Sequence, residues 1–373
     1  MSGNSPAAAS EGDGAGPGSR PAGAGAAGLG EVAQLVAARG GAAQLSVIRA
    51  GQVVADWAWG CPADSLFWLF SASKPLVALA VHQLAERGQL SLDDPVASYW
   101  PQFAQRGKQS ITIRQVLQHR AGLPVARSLA RDVLAMTNWD ASVAAIETAA
   151  PSLPPGAAPA YHILSFGFIL GELVQRVTGT SLAGYLQAEI LGPLGLRDTY
   201  LGLPDQLWPR HVPVRGRDAA RLTTQLVVNR RSTRRAVIPA AGVSATARDI
   251  ARLYQALLNG GELGGARVLR PETINAATMP SSDGQTDRFL HLAVRWAAGF
   301  QLGGEQRGPG GCGPMGTLAS RRAFGHNGSY VCLAWADPDR QLAMAYLTSR
   351  LPSRAAGTRH MARVSDAIQA ACA

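Results

Sequence analysis

Lysine is almost absent from this sequence. Two of its 35 basic residues are lysine, and the others are arginine. Arginine keeps its charge at any accessible pH, whereas a lysine removed from water can lose its proton near neutrality and act as a base. One of the two lysines, Lys74, follows Ser71 by three residues. We therefore regard Lys74 as a candidate for proton transfer.

Long apolar runs are also missing. No run reaches the length of about 18 residues that a membrane-spanning helix requires. The first thirty residues are mostly Ala, Gly, Ser and Pro, and they lack the apolar core of a secretory signal. We expect residues 1–29 to form a disordered tail, and the protein to be cytoplasmic without a membrane span.

Cysteine is scarce and its spacing is uninformative. The cysteines are Cys61, Cys312, Cys332 and Cys372. They form no CxxC pair and no pattern typical of a zinc site or a disulfide framework. We expect reduced, mostly buried thiols, and the sequence indicates neither a metal site nor a cofactor.

Acidic residues are fewer than basic residues, 25 against 35, which gives a formal net charge of +10. A basic protein raises the question of nucleic-acid binding. The arginines are dispersed, apart from one local excess formed by Arg210, Arg215, Arg217, Arg221, Arg230, Arg231, Arg234 and Arg235. No nucleic-acid module surrounds this segment. We interpret residues 210–235 as a solvated, arginine-biased surface loop and expect no nucleic-acid partner.

What the sequence does contain indicates an α/β fold. Apolar patterns at the two ends of the chain predict two β-hairpins, over residues 44–57 and 331–347. Helical patterns lie between them, and a terminal helix is predicted over residues 364–371. We predict one mainly antiparallel sheet built from both chain ends, flanked by helices, with a large helical insertion. The expected single domain, 30–373, has an α/β part (about 30–70 and 236–373) and a helical part (about 71–235).

Ser71 and Lys74 open a predicted buried helix that ends near Gly88. Residues i and i+3 at a helix start lie one above the other, so the hydroxyl and the amine come within contact range. The free N–H groups and the positive dipole end of the helix also suit a developing oxyanion. An ordinary N-cap serine remains the alternative interpretation.

Two further segments extend this pattern. Tyr161 precedes a second buried helix, and residues 324–330, with His326 and Gly328, open an apolar strand. In this order, with Ile111-Thr112-Ile113-Arg114-Gln115-Val116-Leu117-Gln118-His119 between them, the segments resemble serine hydrolases of the class C β-lactamase and penicillin-recognising family, in particular its esterase branch. The resemblance extends from about residue 31 to the C-terminus.

The resemblance implies roles for these residues. Ser71 is the nucleophile, Lys74 its neighbouring amine, and Tyr161 the base that passes the proton to the leaving group. Lys74 could lower the pKa of Tyr161 as an ammonium, or act as the base itself while neutral; the sequence leaves both open. His326 and Gly328 would contact substrate, and the N–H groups of Ser71 and Ser329 would form an oxyanion hole.

Two departures from the lactamase pattern bear on the substrate. Ile163 stands where an asparagine is usual, and His326 stands where the family usually has the lysine of Lys-Thr-Gly. The lost polar groups hold the amide and carboxylate of a β-lactam or peptide, so their absence favours a less polar acyl group. Trp68 and Trp208 are candidates for lining its pocket.

We therefore predict a serine hydrolase that cleaves small carboxylic esters through an acyl-enzyme on Ser71. The alternatives are an acyltransferase to an alcohol or amine, a β-lactamase or D-peptidase, and a catalytically inactive binding protein. A Ser-His-Asp triad through His326 has no recognisable acid partner in the sequence. The oligomeric state stays open.

Overall fold

A computed structural model describes residues 28–216, 218–304 and 313–373. Nearly all of the predicted tail and Cys312 lie outside the described residues. The helices described are α1 (Gly30–Arg39), α2 (Lys74–Glu86), α3 (Ile113–Leu117), α4 (Leu129–Ala135), α5 (Trp139–Thr148), α6 (Ser165–Thr178), α7 (Leu182–Leu186), α8 (Ala219–Val228), α9 (Arg231–Arg235), α10 (Ala247–Leu258), α11 (Pro271–Ala277) and α12 (Arg354–Ala371). The 3₁₀ segments are Phe70–Ser73, Val96–Ser98, Pro101–Gly107 and Asp205–Arg210, and a π-helical turn spans Gln187–Leu191.

The strands described are β1 (Ala43–Arg49), β2 (Gln52–Trp59), β3 (Phe67–Trp68), β4 (Thr199–Leu201), β5 (Arg215–Gly216), β6 (Val243–Ala245), β7 (Glu262–Leu263), β8 (Ala266–Arg267), β9 (Thr286–Asp287), β10 (Leu292–Ala293), β11 (Gln301–Leu302), β12 (Phe324–Gly328), β13 (Cys332–Asp337), β14 (Leu342–Thr348) and β15 (Arg350–Leu351). The largest sheet has the order β11-β12-β13-β14-β1-β2, and its pairings are antiparallel. β1 and β2 come from the start of the chain and the other four strands from its end. The predicted fold class is confirmed.

The central strand β14 is buried on both faces of this sheet. Its alternate side chains point to opposite sides, as the two-residue period of a strand requires. Leu342, Met344 and Tyr346 pack in one apolar cluster with residues of α1 and α12. Ala343 and Ala345 belong to the second cluster, which includes residues of α10. The small alanines let α10 lie close to the sheet.

The predicted start of the terminal helix was wrong. The terminal helix α12 begins at Arg354, ten residues before the predicted start, because Ser353 caps it by accepting a hydrogen bond from Ala356 N. The first two turns of α12 contain no large apolar side chain, so a clear apolar period is present only in its second half. Thr246 caps α10 in the same way: its side chain accepts a hydrogen bond from Asp249 N.

The interpretation of residues 210–235 as a solvated loop was wrong. The segment contains α8 and α9, and Arg234 is completely buried. The Arg234 guanidinium lies 5.0 Å from the centroid of the Trp68 ring and donates hydrogen bonds to Val212 O and Val228 O. Arg231 and Arg235 both pair with Asp205. The positive charge of this segment is therefore partly neutralised by neighbouring carboxylates.

The described cysteines, Cys61, Cys332 and Cys372, carry free thiols, and the last two are buried. This agrees with the prediction of reduced, mostly buried thiols. Among the described residues, no helix combines the length and the apolar character needed to cross a bilayer.

The second lysine of the chain, Lys108, has a structural role. It is fully buried, and its Nζ donates hydrogen bonds to Gln105 O (2.7 Å), Glu147 O (2.9 Å) and Ala149 O. Burial lowers the pKa of Lys108 to about 8. One amine thus satisfies three carbonyls and ties the 3₁₀ segment Pro101–Gly107 to the end of α5.

Replacing Lys108 tests this function of the amine. Lys108→Met keeps the length of the side chain but leaves the carbonyls without their donor, so we expect a loss of about 3 kcal/mol in the free energy of unfolding. The measurement is denaturant unfolding. Arg106→Met, at an exposed position of the same segment, is the control and should change stability by less than about 0.5 kcal/mol. An unchanged midpoint for Lys108→Met would contradict the assignment.

Candidate active site

Ser71 and Lys74 lie where a tight turn leads into a helix. Ser71 is half-buried within the 3₁₀ segment Phe70–Ser73, and Lys74 is the first residue of α2. The prediction of a regular helix from Ser71 onward was therefore wrong by one turn. Phe70 has φ of +48°, a conformation that costs free energy for a residue with a side chain. The turn still brings Lys74 Nζ to 3.4 Å from Ser71 Oγ.

The amine of Lys74 is completely removed from solvent. Its Nζ donates hydrogen bonds to Ile163 O at 2.8 Å and to Ala240 O at 3.3 Å. Burial lowers the pKa of Lys74 well below its usual value. A neutral amine has two hydrogens and one lone pair. The two carbonyls can accept both hydrogens, which leaves the lone pair for the hydroxyl of Ser71.

A glycine on α6 makes this arrangement possible. Gly167 packs directly against the backbone of Pro239 and Ala240, and a Cβ at Gly167 would overlap Ala240 N. Only a residue without a side chain lets α6 approach the chain so closely. The approach places Ala240 O beside Lys74.

Tyr161 lies beside this amine. The centroid of its ring is 4.6 Å from Lys74 Nζ, and the side chain is 8% exposed. Burial raises the pKa of Tyr161, and its hydrogen bond with Ser71 opposes the rise. The phenol is therefore protonated at neutral pH. Of the two states left open by the sequence, this environment favours a neutral lysine beside a neutral tyrosine over an ammonium beside a phenolate.

His326 lies on β12 with its side chain buried. Its Nδ1 is 2.7 Å from Asn327 O, so Nδ1 carries the hydrogen and Nε2 presents a lone pair. Within the described residues, Nε2 is buried without a hydrogen-bond partner. Burial lowers the pKa of His326 to about 3, so the ring is neutral. It does not replace the positive charge of the lysine that is usual at this position.

The end of β12 touches the turn that carries Ser71. A Cβ at Gly328 would overlap Leu69 O, which shows how closely the two backbones approach. Ser329 and Tyr330 follow with φ of +49° and +57°. Two consecutive left-handed residues reverse the chain here. The structure thus brings the segment with His326, Gly328 and Ser329 to the Ser71 turn, while the oxyanion hole stays a prediction.

Three residues that surround Tyr161 were not predicted from sequence patterns. The Trp296 ring stacks on Tyr161 with centroids 5.3 Å apart, and the His119 ring lies 4.8 Å away. Asp287 is fully buried and accepts a hydrogen bond from Tyr161 N. His119 belonged to a recognised segment, but nothing indicated its contact with Tyr161. Asp287 and Trp296 lie in a stretch without periodicity or motif.

The apolar side chains next to Tyr161 differ from those expected. Trp68 is buried in the core and packs edge-on against Phe70, while half-buried Trp208 stacks on His211. The side chains that do pack against the cluster of Tyr161 and Trp296 are partly buried Ile163, Phe289, Leu290 and Leu292. We call Phe289, Leu290 and Leu292 the apolar strip.

Comparison with known proteins identifies the family of the chain. A family model described as Beta-lactamase matches residues 31–367, and the chain belongs to the beta-lactamase family. The esterase/beta-lactamase LipL of Mycobacterium tuberculosis (strain ATCC 25618 / H37Rv) is 32% identical over 361 residues, covering 86% of this chain and 80% of LipL. The resemblance inferred from the motifs is thus confirmed.

Two solved structures show the same fold. A penicillin-binding protein homologue from Caulobacter crescentus superimposes with a TM-score of 0.81 and 31% identity, over 95% of this chain and 99% of the other. A family VIII carboxylesterase superimposes with a TM-score of 0.78 and 28% identity, over 91% and 97% of the two chains.

The contact between β12 and the Ser71 turn can be tested at Gly328. In Gly328→Ala the new methyl group would push the strand away from Leu69, because the atom it meets belongs to the backbone. We expect kcat/KM for an ester to fall about a hundredfold, the typical cost of a 1 Å displacement in an active site. Gly30→Ala, where a Cβ meets nothing within 4 Å, is the control. Equal activity of both variants would contradict this close contact.

Proposed function

We propose that the protein is a serine hydrolase that cleaves carboxylic esters through an acyl-enzyme on Ser71. The observation that carries the proposal is the position of Lys74 Nζ, held by two backbone carbonyls and 3.4 Å from Ser71 Oγ. In the neutral amine this arrangement aims the lone pair at the hydroxyl. A serine hydroxyl needs such an adjacent base to become a nucleophile.

The proton follows a short path. Ser71 Oγ attacks the ester carbonyl while its proton passes to Lys74 Nζ. As the bond to the alcohol breaks, Tyr161 donates its phenolic proton to the departing oxygen and recovers one from the Lys74 ammonium. Water then attacks the acyl group and loses a proton to the same pair, and Ser71 regains its hydrogen. The products are an alcohol and a carboxylic acid.

The negative charge that develops on the carbonyl oxygen requires donors. The N–H groups of Ser71 and Ser329 are the proposed pair, since β12 and the Ser71 turn meet at this point. Each such donor typically contributes about a hundredfold or more to the rate.

Three features of the pocket favour an ester with an apolar group. Ile163 has no side-chain amide with which to bind substrate, and its backbone carbonyl accepts a hydrogen bond from Lys74. His326 is neutral, so it offers no cation to a carboxylate. The apolar strip packs beside Tyr161 and presents partly exposed hydrocarbon. LipL is named as both an esterase and a beta-lactamase, so hydrolysis of β-lactams is the second candidate.

The nucleophile and the reaction can be tested together. Incubation with a short-chain nitrophenyl ester should release nitrophenol, and a fluorophosphonate should add one group to the intact mass of the wild type. Ser71→Ala should show neither result. Ser73→Ala is the matched control, because Ser73 lies in the same turn but its Oγ accepts a hydrogen bond from Val243 N. It should still be labelled.

Other outcomes of this experiment discriminate between the candidate functions. Product formed with an added alcohol at the expense of the acid would indicate an acyltransferase. Faster turnover of a chromogenic cephalosporin than of the ester would favour the lactamase. An unlabelled wild type would contradict the acyl-enzyme proposal and favour a binding protein.

The pH dependence tests the base. The active form contains neutral Lys74, and burial lowers its pKa, so this form predominates above that lowered pKa. We expect kcat/KM to be high around neutrality and to fall as the pH decreases through the pKa of Lys74. Lys74→Arg cannot become neutral and should lose about a thousandfold or more at every pH. Substantial activity of Lys74→Arg would contradict the proposed base.

A further inference from the structure

Tyr161 is connected to an acidic residue that has no part in the proton path. Asp287 lies in β9 and is fully buried. Its Oδ1 accepts hydrogen bonds from three backbone N–H groups, those of Tyr161 (3.1 Å), Phe289 (2.9 Å) and Leu290 (2.8 Å). Its Oδ2 accepts one from Trp296 Nε1 at 3.1 Å. One carboxylate therefore joins the backbone of Tyr161 to the indole and to the apolar strip.

These contacts fix the phenol from two directions. The hydrogen bond to Tyr161 N fixes the backbone of this residue. The hydrogen bond to Trp296 Nε1 orients the indole, whose ring lies nearly parallel to the Tyr161 ring, with 11° between the planes. A buried carboxylate is costly unless its oxygens are well paired. Four donors converge on this one, which indicates a built arrangement rather than an incidental contact.

We propose that Asp287 is a positioning residue that sets the location of the Tyr161 phenol for protonation of the leaving group. The proposal rests on the function proposed above. Asp287 acts through Tyr161 and Trp296 and does not itself touch the reacting atoms. Its substitution should therefore change kcat more than KM.

The charge of Asp287 also favours the protonated phenol. Burial raises the pKa of Tyr161, and the negative charge of Asp287 favours the protonated form further, whereas the Ser71 hydrogen bond favours the phenolate. The other titratable groups around the ring are Lys74, His119 and His326. The charge of Asp287 therefore helps to keep Tyr161 protonated, which is the form that donates to the leaving group.

The test compares Asp287→Asn with a variant designed to rescue it. In Asp287→Asn the amide oxygen can still accept from the three backbone N–H groups, but the NH₂ group then faces the indole N–H. We expect kcat for a nitrophenyl ester to fall by about ten- to a hundredfold, with KM within about twofold. Trp296→Phe keeps an aromatic ring and removes the opposing N–H. The double variant should therefore recover most of the lost kcat.

Asp337→Asn is the matched control for loss of stability. Asp337 is also fully buried and accepts hydrogen bonds from Ser320 N, Ser320 Oγ and Asp339 N. Asp337 is the last residue of β13. The candidate site lies at the other end of this strand, where Cys332 pairs with Gly328. Thermal unfolding should show losses for both asparagine variants. Only Asp287→Asn should change kcat.

Two results would overturn the proposal: an Asp287→Asn kcat equal to wild type after correction for the folded fraction, or a lost kcat that Trp296→Phe does not restore. Failure of the proposed function is distinguishable, because the wild type itself would then neither hydrolyse the ester nor react with a fluorophosphonate.

Discussion

The site depends on the amine of Lys74, which is buried away from solvent and donates hydrogen bonds to two backbone carbonyls. Removing an ammonium from water is costly, and deprotonation avoids that cost. Ile163 O and Ala240 O fix the direction of Nζ, so Ser71 lies on its remaining side. The close approach of α6 at Gly167 supplies one of these carbonyls. The packing of the helical region therefore determines the chemistry of the nucleophile.

The fold brings three distant parts of the chain to this amine. The Ser71 turn follows the first hairpin, Tyr161 comes from the middle region, and β12 comes from near the C-terminus. Since β1 pairs with β14, the two ends of the chain meet in one sheet, and Gly328 touches the Ser71 turn. Asp287 then links Tyr161 to Trp296. Each reacting group is thus held by contacts from a different segment.

The sequence predicted the hairpins and the segments that meet at the site, because these carry strong local patterns. It did not predict Asp287 or Trp296, since a residue that acts through tertiary hydrogen bonds leaves no periodic signal. The scarcity of lysine was only a partial guide. Both lysines are buried, but Lys108 lies outside the Ser71–Lys74 motif and donates hydrogen bonds to three backbone carbonyls. The prediction of a surface loop around Arg234 was wrong, because the sequence does not distinguish a buried arginine from an exposed one. The carbonyls and the indole that surround its guanidinium come together only in the folded chain.

The protonation state of Lys74 is the central claim, and the two-lysine composition makes it directly measurable. Protein labelled with ¹³C at lysine Cε should give two NMR signals, and the one retained in Lys108→Met belongs to Lys74. We predict that this signal titrates well below the ordinary lysine pKa of about 10.4 and reports a neutral amine at the pH of maximal activity. A Lys74 signal that keeps its ammonium shift up to about pH 10 would contradict the account.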